Sequence, residues 1–196
     1  MDAYQNLTKE QLIGRVKELT IELENVQTEK NKQIELMSHI DFLTKLNNRS
    51  ELIERLGYET KRAARTKEPL SLVMFNVDDL KQVNDRYGQA MGDKVLAEIA
   101  KIITSSVRVT DIVGRFGGDV FMLILPACKS PNAFTVADQI RESVELNVFE
   151  DQIRISTSGG IHQFGGETVD QLIDAVEKLV RLAKQNGQNR IEVSAA

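Results

Sequence analysis

The sequence predicts an α+β fold, an α/β sandwich in which a central, mainly antiparallel sheet is flanked by helices and preceded by a long helix. Three observations carry this expectation. Leu70–Val77 is rich in apolar residues and reads as a buried strand. Two short apolar runs, Asp111–Phe116 and Val120–Leu125, are joined by Gly117-Gly118-Asp119, which reads as a β-hairpin whose tip carries a carboxylate. Strands and helices alternate along the rest of the chain, but a hairpin at the centre makes the sheet largely antiparallel.

The first element runs from Thr8 to Ile40 and is interrupted only by Gly14. Its apolar residues, Leu12, Val16, Leu19, Leu23 and Val26, then Met37 and Ile40, alternate by four and three, the spacing of a coiled-coil seam. Lys30 and Gln33 occupy the seam between the two apolar blocks, where polar residues trade stability for register. A helix of this length spans roughly 50 Å, and its stripe asks for a partner surface, so a homodimer through residues 1–40 is expected. The alternative is an amphipathic helix folded onto its own domain. The heptads stop near Ile40, so residues 41–196 form the expected globular domain.

Within that domain Arg49–Lys67 is helical, followed by the strand Leu70–Val77 and a short helix, Asp79–Tyr87. Gly92–Val107 is amphipathic, with Val95, Leu96, Ile99, Ile102 and Ile103 turned inward. After the hairpin come a helix at Pro131–Leu146, a strand at Ile153–Gln163, a helix at Thr168–Asn186 and a last short strand at Arg190–Val193.

Composition narrows the function classes. A formal net charge of -4 argues against bulk attraction to nucleic acid or an anionic membrane. No apolar run approaches the roughly 20 residues of a bilayer span, and Met1-Asp-Ala-Tyr-Gln5 has neither the charged nor the apolar region of a signal peptide. Cys128 is the sole cysteine, which excludes an intramolecular disulfide and fits a reducing cytoplasm. It reads as a small packing residue. His39 and His162 have no Cys or His partner at metal-ligand spacing and read as structural or surface residues.

Four motifs in order carry a family resemblance. Asp41-Phe-Leu-Thr-Lys-Leu-Asn-Asn-Arg49 is similar to D-x-L-T-G-L-x-N-R, with Lys45 at the usual glycine. Phe75-Asn-Val-Asp-Asp-Leu-Lys-Gln-Val-Asn-Asp85 resembles F-D-I-D-x-F-K-x-x-N-D, and Gly88-Gln-Ala-Met-Gly-Asp93 resembles G-H-x-x-G-D. Ala183-Lys-Gln-Asn-Gly-Gln-Asn-Arg190 resembles A-K-x-x-G-R-N-R. With Arg115-Phe-Gly-Gly-Asp-Val-Phe121, these resemble the GGDEF domain of diguanylate cyclases over about Asp41 to Val193. The resemblance implies a sheet and helices similar to nucleotide cyclase and polymerase palm domains. It also implies condensation of two GTP molecules into cyclic di-GMP across a facing dimer, with divalent metal held by carboxylates.

The chain departs from that pattern where the metal chemistry lies. The resemblance places metal carboxylates at the end of the first strand and as a pair at the hairpin tip. This chain has Asn76 at the first position and Asp119-Val120 at the second. An amide oxygen ligates a hard cation weakly, and valine not at all. Gln188 replaces the phosphate-facing arginine of the fourth motif, and a neutral amide gives no charge-assisted bond to phosphate. Losing one positioned electrostatic or acid–base group costs on the order of 10²–10⁴ in rate. The expected activity is therefore none or residual, with Asp119 and a weakened Asn76 as the remaining metal donors. Magnesium is expected only if nucleotide binds productively.

The nucleotide-reading side is better kept. By the resemblance, Asn84 and Asp93 match residues that read the guanine edge, Lys81 and Lys184 match phosphate-contacting lysines, and Gly117 and Gly118 let the backbone approach a phosphate. Capping of helix starts accounts equally for Asn84 and Asp93, and a solvated surface role for the lysines. Asp78 and Asp79 read as the start of the following helix. Arg108-Val-Thr-Asp111 matches the R-x-x-D inhibitory site that binds cyclic di-GMP, although a surface Arg–Asp pair is the simpler reading. The expected function is a guanine-nucleotide regulator, for GTP or cyclic di-GMP, or a protein-interaction module in bacterial second-messenger signalling. The alternatives are an active diguanylate cyclase and a ligand-free protein-binding scaffold.

Overall fold

The computed structural model describes residues 8–37 and 39–194. The chain divides into two units, one formed by helix α1 (Lys9–Met37) and one that begins at His39. On α1, Leu12, Val16, Leu19, Leu23 and Val26 are all exposed in the single chain. The seam side chains expected at Lys30, Gln33 and Met37 lie outside the described residues.

The second unit contains α2 (Arg49–Thr66), β1 (Leu70–Val77), α3 (Leu80–Tyr87), α4 (Gln89–Ser106), β2 (Ile112–Gly117) and β3 (Val120–Pro126). It continues with α5 (Ser130–Leu146), a short 3-10 turn at Glu150–Gln152, β4 (Thr157–Gln163), α6 (Val169–Gln185) and β5 (Ile191–Val193). The strand order is β2-β3-β1-β4-β5, and only the β4–β5 pair is parallel. This is the mixed fold with a mainly antiparallel five-stranded sheet that the hairpin and the alternating elements predict.

Strand alternation divides the core into two layers. Val73, Phe75 and Val77 of β1 join the cluster made with α3, α4 and α5. Leu70, Leu72 and Met74 join the cluster made with α2 and α6. Helix α6 lies close to the sheet because β4 offers bare backbone at Gly160. A Cβ there would stand 2.6 Å from the Val176 carbonyl oxygen and 2.7 Å from the Leu179 Cβ. A side chain at this position would push α6 off the sheet, at a cost of about 1–3 kcal/mol for overpacking.

The opening motif is structural. Asp41 Oδ1 accepts bonds from the Thr44 backbone N–H at 2.7 Å and the Thr44 hydroxyl at 2.6 Å. Arg115 on β2 reaches Asp41 Oδ2 at 3.3 Å and donates from Nε and Nη2 to the Gly118 carbonyl at 2.8 and 2.7 Å. One guanidinium therefore ties the opening loop to the hairpin turn. Asn47 donates to the Val113 carbonyl at 2.6 Å, and Asn48 caps α2 by accepting from the Glu51 N–H at 3.0 Å.

Two element starts differ from expectation. Helix α4 begins at Gln89 rather than Gly92, because Gly88 at φ 85 both ends α3 and opens α4. Strand β4 begins at Thr157 rather than Ile153. Ile153 and Ile155 are buried at strand-like spacing, but the 3-10 turn before them holds the segment out of the ladder.

Glu51 yields a pH prediction. Its carboxylate is 7 % exposed and accepts from Arg55 Nε at 2.6 Å, with His39 Nδ1 at 2.5 Å from its other oxygen. The Arg55 hydrogen bond outweighs burial and holds the Glu51 carboxyl below its ordinary value of 4.5. A carboxyl lowered by folding adds stability above its unfolded pKa, and that stability is lost as pH falls through the folded one. Glu51→Gln should therefore melt below the wild type at neutral pH, and the gap should narrow as pH falls below 4.5. Thermal melts of both proteins from pH 7 to 3 check this; a constant gap contradicts it.

Candidate functional site

Strand β1 and the hairpin tip end side by side. The Val77 N–H donates to the Asp119 carbonyl at 3.0 Å, and the register sets Asn76 opposite Val120 on one side and Ser158 on the other. Gly118, at φ 53, takes the left-handed turn conformation that glycine adopts without strain, and this aims Asp119 back over β1. Asn76 continues the Leu70–Leu72–Met74 face, so its side chain meets α6.

Lys184 in the last turn of α6 donates to the Asn76 side-chain oxygen. Asn76 in turn donates from Nδ2 to Asp119 Oδ1 at 3.0 Å. An amide serves both neighbours because its oxygen accepts from the ammonium and its nitrogen donates to the carboxylate. A carboxylate at position 76 would instead face Asp119 with like charge. The Lys184 ammonium also stands 3.5 Å from the Val77 carbonyl and 3.7 Å from Asp78 Oδ1. Val120 is half-buried and packs against the α2–α6 core cluster, so it extends the apolar layer to the sheet end.

Asp78 does not start α3. It is 2 % exposed and accepts from the Ser156 hydroxyl at 2.7 Å, the Ser158 hydroxyl at 2.8 and 3.0 Å, and the Asn189 backbone N–H at 3.2 Å. These bonds replace the water a buried carboxylate has lost and tie the ends of β1, β4 and the α6–β5 loop together. Asp79 occupies the position before α3 in a left-handed conformation, and its side chain caps nothing.

Asn84 and Asp93, the pair expected at a guanine edge, also depart from the capping account. Asn84 lies inside α3 and Asp93 inside α4, and neither occupies a cap position. Asn84 lies against Gly92, the residue before Asp93. A Cβ at Gly92 would stand 1.9 Å from Asn84 Oδ1, so bare backbone is what admits the amide. Asn84 Oδ1 is buried and has no hydrogen-bond partner. An unpaired buried acceptor is costly, on the order of 1–3 kcal/mol, unless something donates to it. Asp93 is half-buried, and none of the described residues bonds its carboxylate. Lys81 lies on the Asn84 side of α3, three residues earlier, and is exposed. Gln188 is half-buried at φ 59, in a turn closed by its N–H to the Ala183 carbonyl at 3.1 Å.

Arg108 and Asp111 lie at the other end of β2 from the glycine turn, about 20 Å away at 3.3 Å per residue. Asp111 Oδ2 accepts from the Arg108 backbone N–H at 2.9 Å, which fixes the α4–β2 turn. The Arg108 side chain is exposed on a groove that also contains Lys45, Thr104 and Val109. Of the two histidines, His39 belongs to the Glu51 cluster, and His162 Nε2 stands 3.1 Å from Glu167 Oε1. Cys128 is a buried packing residue whose thiol pKa is pushed up by burial.

Sequence reasoning gave no role to Ser156, Ser158 or Arg115 and read Asp78 as part of a helix start. Ser156 and Ser158 belong to no recognised motif and acquire meaning only through the β1–β4 pairing. The Asn84–Gly92 contact was within reach, because both residues lie in quoted motifs and glycine is the residue that admits close approach.

Comparison with known proteins agrees with this geometry. A family model described as diguanylate cyclase, GGDEF domain, matches residues 38–190. Diguanylate cyclase A of Treponema denticola is 35% identical over 173 residues, covering 84% of this chain and 46% of that protein. Diguanylate cyclase DosC of Escherichia coli is 33% identical over 159 residues, covering 79% of this chain and 35% of that protein. The chain thus spans less than half the length of these curated relatives. Among solved structures, diguanylate cyclase SiaD of Pseudomonas aeruginosa, seen in complex with its activator SiaC, superposes with a TM-score of 0.76 at 31% identity, covering 95% of this chain and 73% of that one. The coiled coil and GGDEF domain of DgcB from Caulobacter crescentus, in complex with c-di-GMP, has a TM-score of 0.78 at 24% identity over 93% of this chain and 99% of that one, a likeness of fold. On the family model and these relatives, the chain belongs to the GGDEF diguanylate cyclase family.

Proposed function

We propose that this chain reads guanine nucleotides in cyclic di-GMP signalling and condenses GTP poorly or not at all. The observation that carries the proposal is the Asn76 amide joining Lys184 to Asp119. It supports a site in which the lysine and the carboxylate are each bonded to one neutral amide within the protein.

The family's chemistry uses a divalent metal on carboxylates, and the residues present do not fit one. Position 76 is neutral and position 120 apolar. Two of the remaining oxygens, Asn76 Oδ1 and the Val77 carbonyl, face the Lys184 ammonium. Among the described residues no group of three His, Cys, Asp or Glu side chains could hold a metal ion.

Nucleotide recognition does not depend on that metal. The Asp93 carboxylate accepts from the guanine N1–H and 2-amino donors, and the Asn84 amide nitrogen donates to guanine acceptors, its oxygen being buried against Gly92. Lys81 and Lys184 supply cations for phosphate, with Gln188 giving a neutral hydrogen bond in place of an arginine's charge. The Arg108 guanidinium is available to stack on a base of cyclic di-GMP or bond its guanine edge, with Asp111 holding the turn beneath it. The exposed apolar stripe of α1 supports self-association through that helix. No helix among the described residues is long and apolar enough to cross a membrane.

Two measurements check this reading. Calorimetry should show GTP binding that survives chelation of divalent metal and falls at least about tenfold in Asn84→Ala, the loss of one or two hydrogen bonds. No heat at millimolar GTP contradicts it. Arg108→Ala should remove cyclic di-GMP binding while leaving GTP binding in place, and unchanged cyclic di-GMP affinity rejects the second site.

A further inference from the structure

We propose that a cleft on the opposite flank of α3 from Asn84 binds a small organic anion with an aromatic or apolar body. It is a site separate from both nucleotide sites above. At 100° per residue, Lys81 and Asn84 share one side of α3, while Gln82 and Arg86 share the other. The cleft runs from that second side to the end of α5, the segment 152–156 and Asn189, and has a volume of about 730 Å³. That size suits a ligand as large as a nucleotide.

An anion is favoured by which charges are left without a bond, not by the net charge. Three carboxylates and two guanidiniums line the cleft: Asp78, Asp79, Glu145, Arg86 and Arg154. Asp78 is already bonded to two serine hydroxyls and a backbone N–H. Glu145 accepts from Arg141 Nη1 at 2.7 Å, and Asp79 accepts from Gln82 Nε2 at 3.0 Å. The two arginines have no such partner. Arg86 lies over the Tyr87 ring at 5.1 Å, and among the described residues Arg154 has neither a hydrogen-bond nor an ion-pair partner. Two guanidiniums from different elements thus enter one cleft without carboxylate partners, a pairing suited to phosphate or carboxylate oxygens.

The rest of the lining suits the body of such a ligand. Val83, Ile153 and Ile155 give an apolar floor, Leu146 is 67% exposed at the rim, and the half-exposed Tyr87 ring offers a stacking face. Gln152 and Asn189 line it from turns in which two successive non-glycine residues have positive φ, Asp151-Gln152 and Gln188-Asn189; the Gln152 amide faces the cleft wall, while the Asn189 amide oxygen accepts from Arg141 Nη1 at 3.0 Å. Strain of this kind persists where the surrounding structure holds a side chain in place. The cleft wall also shares Asp78 with the nucleotide side, because Ser156 and Asn189 bond the carboxylate that stands 3.7 Å from Lys184.

Calorimetric titration of the whole chain with 2-naphthyl phosphate and with 2-naphthoate tests this, using inorganic phosphate and 2-naphthol as controls. Saturable one-to-one binding is expected for at least one aryl anion, tighter than for either control. Affinity should fall at least about tenfold in Arg86→Ala/Arg154→Ala and persist in Lys184→Ala. The double variant should keep the wild-type melting profile and GTP affinity; Arg154→Ala alone, in a loop, gives the same reading if the double variant folds poorly. Absence of saturable binding at millimolar probe overturns the proposal. So does binding that survives loss of both arginines, or that disappears in Lys184→Ala and thereby belongs to the phosphate side of the nucleotide site.

Discussion

A single side-chain amide sets the character of the candidate site at the end of β1. Asn76 stands between an ammonium and a carboxylate and bonds both, which no other side chain of its size and shape does. A carboxylate in its place would set two negative charges together at the sheet end, and that repulsion is what a bound cation relieves. With the amide there, Asp119 Oδ1 accepts from a neutral donor, and Lys184 is held by the Asn76 oxygen, the Val77 carbonyl and the Asp78 carboxylate. An entering metal would have to displace the lysine from the oxygens it faces.

The fold supplies this contact through three independent constraints. The β1–β3 register puts the hairpin tip at the end of β1, and the Val77 to Asp119 backbone bond fixes it there. Arg115 braces the turn from below by bonding the Gly118 carbonyl and the opening-loop Asp41. Gly160 lets α6 approach the sheet, which brings Lys184 within reach of Asn76. Behind them, Asp78 gathers β1, β4 and the α6–β5 loop around one buried charge, whose partners are polar groups that cost little to bury once bonded.

Much of this was legible before any coordinates. The hairpin, the buried strand and the amphipathic helices follow from periodicity and turn chemistry, and these fix an antiparallel sheet. The replacements at positions 76, 120 and 188 were visible as residue types. Their consequence was not, because the Lys184–Asn76–Asp119 chain joins residues from 43 to 108 positions apart. Only the fold places an α6 lysine over β1. Helix starts misled where local signals compete: Asp93 before an apolar run looks like a cap, but Gly88 starts the helix earlier and leaves Asp93 facing outward within the first turns. Ile153 and Ile155 alternate like a strand because they fill the core from an irregular segment. The cleft between α3 and α5 had no signature at all, since its arginines come from unrelated stretches of chain.

Chromatographic measurement of cyclic di-GMP made from GTP, with magnesium or manganese, by the wild type and by Asn76→Asp/Val120→Glu tests the central claim most directly. The account predicts no sustained synthesis by the wild type and a measurable gain when both carboxylates are supplied, even with Gln188 unchanged. Steady turnover by the wild-type chain, undiminished by the neutral residue at position 76, would contradict it.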